Sequence, residues 1–178
     1  NKLASLRFYK KSLKDSIFER YHDNGELSYQ GFYKKGVKDG EFKKFHFNGQ
    51  LHYKGVYING YKEGLFLKWH ENSQLSDKKS YVKSHWNGPW EKWYENGQRY
   101  SYTDYIHGNK DGEYKKWYRN GQLKYHGFYK NNMKHGKWSK YNDQGDLVSQ
   151  RFYNKDKLNG SNIGWYNNGQ IKYERMYN

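Results

Sequence analysis

An unbroken period of 24 residues runs through this chain of 178. An Asn-Gly pair stands at Asn24-Gly25, Asn48-Gly49, Asn96-Gly97, Asn120-Gly121 and Asn168-Gly169, and the two gaps in the series hold Asn72-Ser73 and Gln144-Gly145. A glycine column (Gly40, Gly64, Gly88, Gly112, Gly136, Gly160) keeps the period, as does a tyrosine column from Tyr9 and Tyr33 to Tyr177. One aromatic column passes through Phe18, Phe42, Phe66, Trp90, Tyr114 and Trp138 and lapses at Asn162. Another passes through Tyr21, Phe45, Trp69, Trp93, Trp117, Tyr141 and Trp165. An insertion would break the stacking of one unit on the next, so each unit must touch its neighbours in fixed register.

Each unit reads as two strands. Asn-Gly between aromatic-rich segments predicts a two-residue type I′ hairpin turn. With Asn48-Gly49 at the turn, Phe47 pairs with Gln50, His46 faces Leu51, Lys44 faces Tyr53, Phe42 faces Gly55 and Gly40 faces Tyr57. A ring over a cross-strand glycine covers backbone that the glycine leaves bare, and Phe18–Gly31 and Tyr114–Gly127 repeat that pairing. The second connection, such as Lys34–Gly40, reads as a longer polar turn ending in Lys38-Asp39-Gly40. Strands are expected near 41–47, 51–57, 65–71 and so on, with a first strand near 3–9. The fold class is therefore all-β: a single-layer, elongated, twisted antiparallel meander of about seven hairpin repeats, each advancing about 10 Å. It forms one repeat domain over 1–178, with a partial unit at 1–15 and units at 16–39, 40–63, 64–87, 88–111, 112–135, 136–159 and 160–178.

Composition fits a layer with little aliphatic interior. Aromatics supply 21% of residues and bury large areas each, whereas disordered chains are poor in them. The net charge of +15 suits an acidic partner. The absence of cysteine excludes disulfides and thiolate chemistry. No apolar run has the length of a membrane-spanning helix, and no signal peptide is recognisable.

The pattern Gly-x-aromatic-x-Lys-aromatic-aromatic/His-x-Asn-Gly-Gln-Leu-x-Tyr-x-Gly-x-Tyr, closing on Lys-Asp-Gly, is cleanest in Gly40–Gly64 and Gly112–Gly136. It resembles the bacterial MORN-type repeat, and is similar to the repeat of the YwqK-type antitoxin components. The resemblance spans Leu3–Tyr177 and implies a hairpin array with a protein- or lipid-binding role. Trp86–Trp90 and Asn159–Trp165 depart from it most.

Candidate binding residues are the basic column Lys44, Lys68, Lys92, Lys116 and Lys140, with Arg20 before it, and the tryptophans Trp69, Trp93 and Trp117. Such a row could receive an acidic protein, an anionic headgroup or a polymer. Alternatively, its stems cover tyrosine rings with ammonium groups in water. The spacing does not match successive phosphates of one strand, which argues against sequence-specific nucleic-acid binding. Histidines at 22, 46 and 70 lie too far apart to converge on a metal. The carboxylates fall mostly in turns, and no nucleophile, phosphate-loop or dinucleotide motif occurs, so neither enzymatic activity nor a cofactor is expected. The leading expectation is a non-enzymatic protein-binding scaffold, with a toxin-neutralising, antitoxin-like or immunity-like component as one instance. The other is a surface or membrane-associated protein that binds anionic lipid or polymer through its lysines. The first would be cytoplasmic; the second would be exported after loss of a leader. End-to-end self-association through open sheet edges is a further expectation. Ser73, Asp77, Ser80, Arg99, Ser101 and Asp104, near the lone Pro89, form a central polar lapse where a bend or recognition patch is expected.

Overall fold

The computed structural model describes residues 5–10 and 13–178, with side chains from residue 17 onward. Every regular element among them is a strand. Leu3, where the first strand was expected to open, and much of the partial unit at 1–15 lie outside this description. The chain divides into two compact units, Asn1–Trp86 and Asn87–Asn178. The first holds β1 (Ser5–Lys10), β2 (Leu13–Tyr21), β3 (Leu27–Lys34), β4 (Val37–Phe45), β5 (Leu51–Ile58), β6 (Tyr61–Trp69), β7 (Leu75–Val82) and β8 (His85–Trp86). The second holds β9 (Gly88–Trp93), β10 (Arg99–Ile106), β11 (Asn109–Trp117), β12 (Leu123–Lys130), β13 (Met133–Tyr141), β14 (Leu147–Asn154), β15 (Lys157–Trp165) and β16 (Ile171–Tyr177). Within each unit every strand pairs antiparallel with the next, giving an open meander.

The two kinds of connection exchange the roles expected of them. At Asn48-Gly49 the Gly49 N–H donates to His46 O at 3.0 Å, and the His46 N–H donates to Gln50 O at 2.8 Å. Only Gly49 in that loop has positive φ, at 79°. This is a three-residue loop, a type I turn closed by a left-handed glycine, and not the two-residue type I′ turn. Lys44–Tyr53, Phe42–Gly55 and Gly40–Tyr57 pair as expected, but Phe45 takes Leu51 in place of His46, with a register shift after Lys44. The type I′ geometry sits at the other connection. Lys35-Gly36, Asn59-Gly60, Asn131-Asn132 and Lys155-Asp156 each place two successive residues at positive φ. The strands that follow start about four residues earlier than the polar composition suggested, β4 at Val37 and β6 at Tyr61. The Lys38-Asp39-Gly40 segment is therefore strand, bent at Gly40 where φ is 121°.

Both rims of the sheet hold successive units to a fixed length, and no unit carries an insertion. On one rim, the Gly60 N–H donates to Lys38 O at 2.7 Å and the Asn132 N–H to Lys110 O at 2.9 Å, so each tight turn hangs on the repeat before it. On the other, Asn24 Nδ2 donates to Phe47 O at 3.0 Å, Asn48 Nδ2 to Glu71 O at 3.2 Å and Asn120 Nδ2 to Asp143 O at 2.7 Å. The histidine column works there too. His22 Nε2 and His46 Nε2 reach Phe45 O and Trp69 O at 3.2 and 3.0 Å, and since a carbonyl only accepts, each Nε2 carries the proton. In later units the hydroxyls of Tyr94 and Tyr118 donate to Trp117 O and Tyr141 O, each at 3.0 Å. One extra residue in a unit would misplace both sets of bonds.

Alternation along the strands gives two faces. The face bearing Phe18, Phe42 and Phe66 holds the first unit's core; these rings keep only 3%, 2% and 3% of their surface. Phe42 meets Tyr29, Tyr33 and Tyr57 edge-on, with centroids 5.8, 5.4 and 4.8 Å away. Phe66 meets Tyr57 and Tyr81 edge-on at 5.5 and 4.9 Å and Tyr53 at a tilt at 5.6 Å. In the second unit Trp138 packs against Tyr114, Tyr129 and Tyr153, and its indole N–H donates to Phe128 O at 3.0 Å. The rings do lie over glycines, but over the glycine of the preceding hairpin. A Cβ added at Gly31 would meet Phe42 Cδ1 at 2.7 Å, one at Gly55 would meet Phe66 Cγ at 2.7 Å, and one at Gly127 would meet Trp138 Cγ at 2.7 Å. Phe42 pairs with both Gly31 and Gly55, and the space above Gly55 is filled by Phe66. Where the aromatic column lapses at Asn162, its partner across the ladder is Arg151, so glycine and ring are lost together. The boundary between the units falls two residues before Pro89 and its missing N–H, at the central polar lapse.

Candidate functional site

The aromatic face of the first unit carries two rows of basic side chains along the buried rings. Lys44 and Lys68 flank Tyr53 across the ladder, and Lys44 also pairs with Tyr29. Both ammonium-bearing side chains are exposed, as is Arg20, whose guanidinium lies 5.2 Å from the Phe18 centroid. The second row, Lys38 and Lys62, is half-buried. Lys38 Nζ sits 5.0 Å from the Phe42 centroid and 4.7 Å from that of Tyr57; Lys62 Nζ sits 5.3 and 4.8 Å from those of Phe66 and Tyr81. Each lysine thus caps a ring pair with a cation–π contact and shields it from water.

Charge separates between the faces. Strand alternation puts Glu41, Lys43 and Lys54 behind, where Glu41 pairs with both lysines. Glu113 behind the second unit pairs with Lys115 at 2.7 Å and His126 at 3.0 Å, and Glu91 with Arg99 at 3.4 Å. On the aromatic face Lys79 pairs with Asp77 at 3.5 Å. Among the described residues Lys38, Lys44, Lys62 and Lys68 make no ion pair.

Between these rows lie troughs. One of about 350 Å³ is bounded by Lys38, Lys44, Lys62 and Lys68 around Tyr29, Tyr53 and Tyr57, with His52 at its edge. A second of about 410 Å³, over Phe18 and Tyr33, shares Tyr29, Lys38 and Lys44 with the first. No carboxylate lines either one. The second unit has a counterpart of about 410 Å³ among Tyr125, Tyr129, Lys134, Trp138, Lys140 and Arg151. Local electrostatics bear the imprint of burial and of unneutralised charge. Burial, then the nearby Lys68, lowers the Lys62 pKa. Burial, followed by His46, Lys68 and Lys44, lowers that of His52. Burial pushes the phenols of Tyr29 and Tyr53 well up, and each also shares a hydrogen bond with a second hydroxyl, Tyr29 with Tyr33 at 3.1 Å and Tyr53 with Tyr57. In the second unit the Tyr100 phenol is lowered by its hydrogen bond with Lys116, which is itself raised.

The expected site residues are thus divided. Lys44 and Lys68 stand on the aromatic face of the first unit, and Lys92, Lys116 and Lys140 on that of the second, where Lys116 pairs with Ser101 and Tyr125 and its Nζ lies 4.8 Å from the Tyr100 centroid. Trp69, Trp93 and Trp117 follow these lysines by one residue and point to the opposite face, paired with Leu75, Arg99 and Leu123. They belong to a different surface. The row Lys38, Lys62, Lys110 and Lys134 was missed because its Lys-Asp-Gly and Lys-Glu-Gly setting reads as turn chemistry. Its 24-residue period was the available signal.

No curated protein is similar enough to the chain to match it. The family described as MORN repeat variant matches at residues 14–35, 38–59, 86–107, 110–131, 134–155 and 158–178. The unmatched segment between the second and third of these contains Ser73, Asp77 and Ser80, where the repeat is least regular. With six matched copies covering most of its length and the hairpin period visible in every strand pair, the chain belongs to the MORN repeat variant family.

Proposed function

We propose that this chain is a non-catalytic binding protein that docks an acidic protein partner on its lysine–tyrosine face. Repeats of this family are generally associated with binding to proteins and membranes. The observation that carries the reading is the separation of charge: carboxylates neutralise lysines on the back face, while Lys38, Lys44, Lys62 and Lys68 surround tyrosine-lined troughs without one. A toxin held stoichiometrically by an antitoxin of the YwqK type would be one such partner. The test is co-purification of a stoichiometric partner with the chain and with its Lys44→Glu/Lys68→Glu variant. Loss of the partner with that variant, and retention with Lys43→Gln on the back face, is the expected result. Equal retention by both variants refutes the reading. The exposure of Arg20, Lys44 and Lys68 also favours a second reading, an anionic lipid surface. Sedimentation with anionic vesicles that fades with salt, in the absence of any protein partner, would select it.

A further inference from the structure

The proposed acidic partner leaves open what shape of chain fits the face, and the geometry narrows it. The two troughs of the first unit share Tyr29, Lys38 and Lys44, so they form one groove crossing the strands from Arg20 to Lys68. Arg20, Lys44 and Lys68 recur along it every second strand, which is a spacing of about 9.5 Å. A polyproline II helix has three residues per turn and a rise of about 3.1 Å, so it presents the same face every ~9.3 Å. An extended strand repeats its facing side chain at about 6.7 Å and falls out of step at once. An α-helix offers its seventh residue at about 10.5 Å, drifts by about 1 Å per repeat, and is about 10–12 Å thick. Only the polyproline form stays in register over three repeats.

The groove also has the chemistry that such a chain needs. A polyproline II backbone makes no internal hydrogen bonds and leaves its carbonyls open. The Tyr53 and Tyr57 hydroxyls share one hydrogen bond, which uses one of their two protons and leaves the other for an acceptor in the trough. Aromatic-lined grooves are an established means of holding prolines. We propose that the groove from Arg20 to Lys68 binds an acidic peptide in the polyproline II conformation, with a carboxylate at every third residue. The carboxylates meet Arg20, Lys44 and Lys68 in turn, and the prolines lie over the tyrosines. This rests on the reading that the aromatic face is the docking face.

The test measures binding of labelled peptides to the whole chain by fluorescence anisotropy. The probes are repeating Pro-Pro-Glu triplets, an isomer of identical composition with all prolines before all glutamates, and repeating Pro-Pro-Gln triplets. The triplet peptide should bind about tenfold or more tighter than the block isomer, a difference of about 1.4 kcal/mol. Pro-Pro-Gln should bind weakly, Lys44→Glu/Lys68→Glu should abolish the preference, and Lys43→Gln should leave it intact. Equal binding of the two isomers, still lost in Lys44→Glu/Lys68→Glu, overturns the polyproline register while sparing the docking face. No binding of either acidic peptide at low salt overturns both.

Discussion

Gly55 offers the sharpest test of how a single-layer sheet builds a core. A methyl group added there would lie 2.7 Å from Phe66 Cγ, well inside van der Waals contact. Phe66 has little room to yield: it is 3% exposed, edge-on to Tyr57 and Tyr81, tilted against Tyr53, and capped by Lys62. Tilting the ring forfeits contacts worth about 0.5–1.5 kcal/mol per aromatic pair, and overpacking of this kind costs about 1–3 kcal/mol. Alanine gives back about 0.4–1 kcal/mol by restricting the unfolded chain. Gly55 does not have positive φ, so no backbone strain enters. Gly55→Ala should therefore destabilise the first unit by about 1–2 kcal/mol, read as a lower urea midpoint by circular dichroism. The penalty should shrink in a Phe66→Leu background, because the smaller side chain leaves space for the methyl group. A neutral Gly55→Ala, or a penalty that is the same with and without Phe66, would refute the reasoning.

Three further outcomes follow from the rims and the back face. Asn48→Ala removes a loop bond to the Gln50 N–H and the bond to Glu71 O in the next repeat, both solvent-exposed; a loss of about 1 kcal/mol is expected in urea unfolding. Lys155 holds φ at 50° in a type I′ turn, a conformation asparagine tolerates better, so Lys155→Asn should raise the midpoint of the second unit, and an unchanged or lower one would count against strain there. The pKa values of Glu41 and Glu113 lie below their ordinary value of 4.5, chiefly through hydrogen bonds from Lys43 and Lys115 respectively. Their stabilisation is complete above the unfolded-state carboxylate pKa and is lost as pH falls through the lowered folded values. The urea midpoint should fall between about pH 5 and pH 3, and less steeply in Glu41→Gln/Glu113→Gln.

Most of the fold is legible in the sequence because its period is legible. The ladder pairs Lys44–Tyr53 and Phe42–Gly55 follow from counting back from Asn-Gly. The turn types do not follow, for a physical reason. A type I turn with a left-handed closing residue needs positive φ only at glycine, and Asn48 is there for its side-chain bonds; the dipeptide alone fits both geometries. The true type I′ sites include Lys155-Asp156, with no glycine to announce them. There, Asp156 Oδ1 accepts from the Lys134 N–H at 2.8 Å, and such a cross-repeat bond becomes visible only once the strands are paired. The grouping of Lys68 with Trp69 had a different flaw: neighbours in a strand face opposite ways, so two strong columns one residue apart cannot form one surface.

The same alternation explains what the chain does with its excess charge. The chain holds 33 lysines and arginines against 18 carboxylates, and on the back face Lys43, Lys54 and Lys115 have acids beside them, Glu41 and Glu113. Over the rings the aromatic face does otherwise, because a carboxylate over the negative face of a ring would be repelled, whereas a cation there is attracted; its acid, Asp77, pairs with Lys79 where the ring column gives way to polar residues. Lys38 and Lys62 therefore serve as the lid of the ring column, and half-burial among cations leaves Lys62 with a lowered pKa. Once that row has covered the rings, Lys44 and Lys68 are not needed as a lid and extend into solvent. The core's own demand for cations thus raises the positive potential of the face on which the outward row stands. For the docking proposed above, this means that an anionic partner would meet charges of which the inner half is already fixed in place by folding, so little ordering of the inner row would remain to be done on binding.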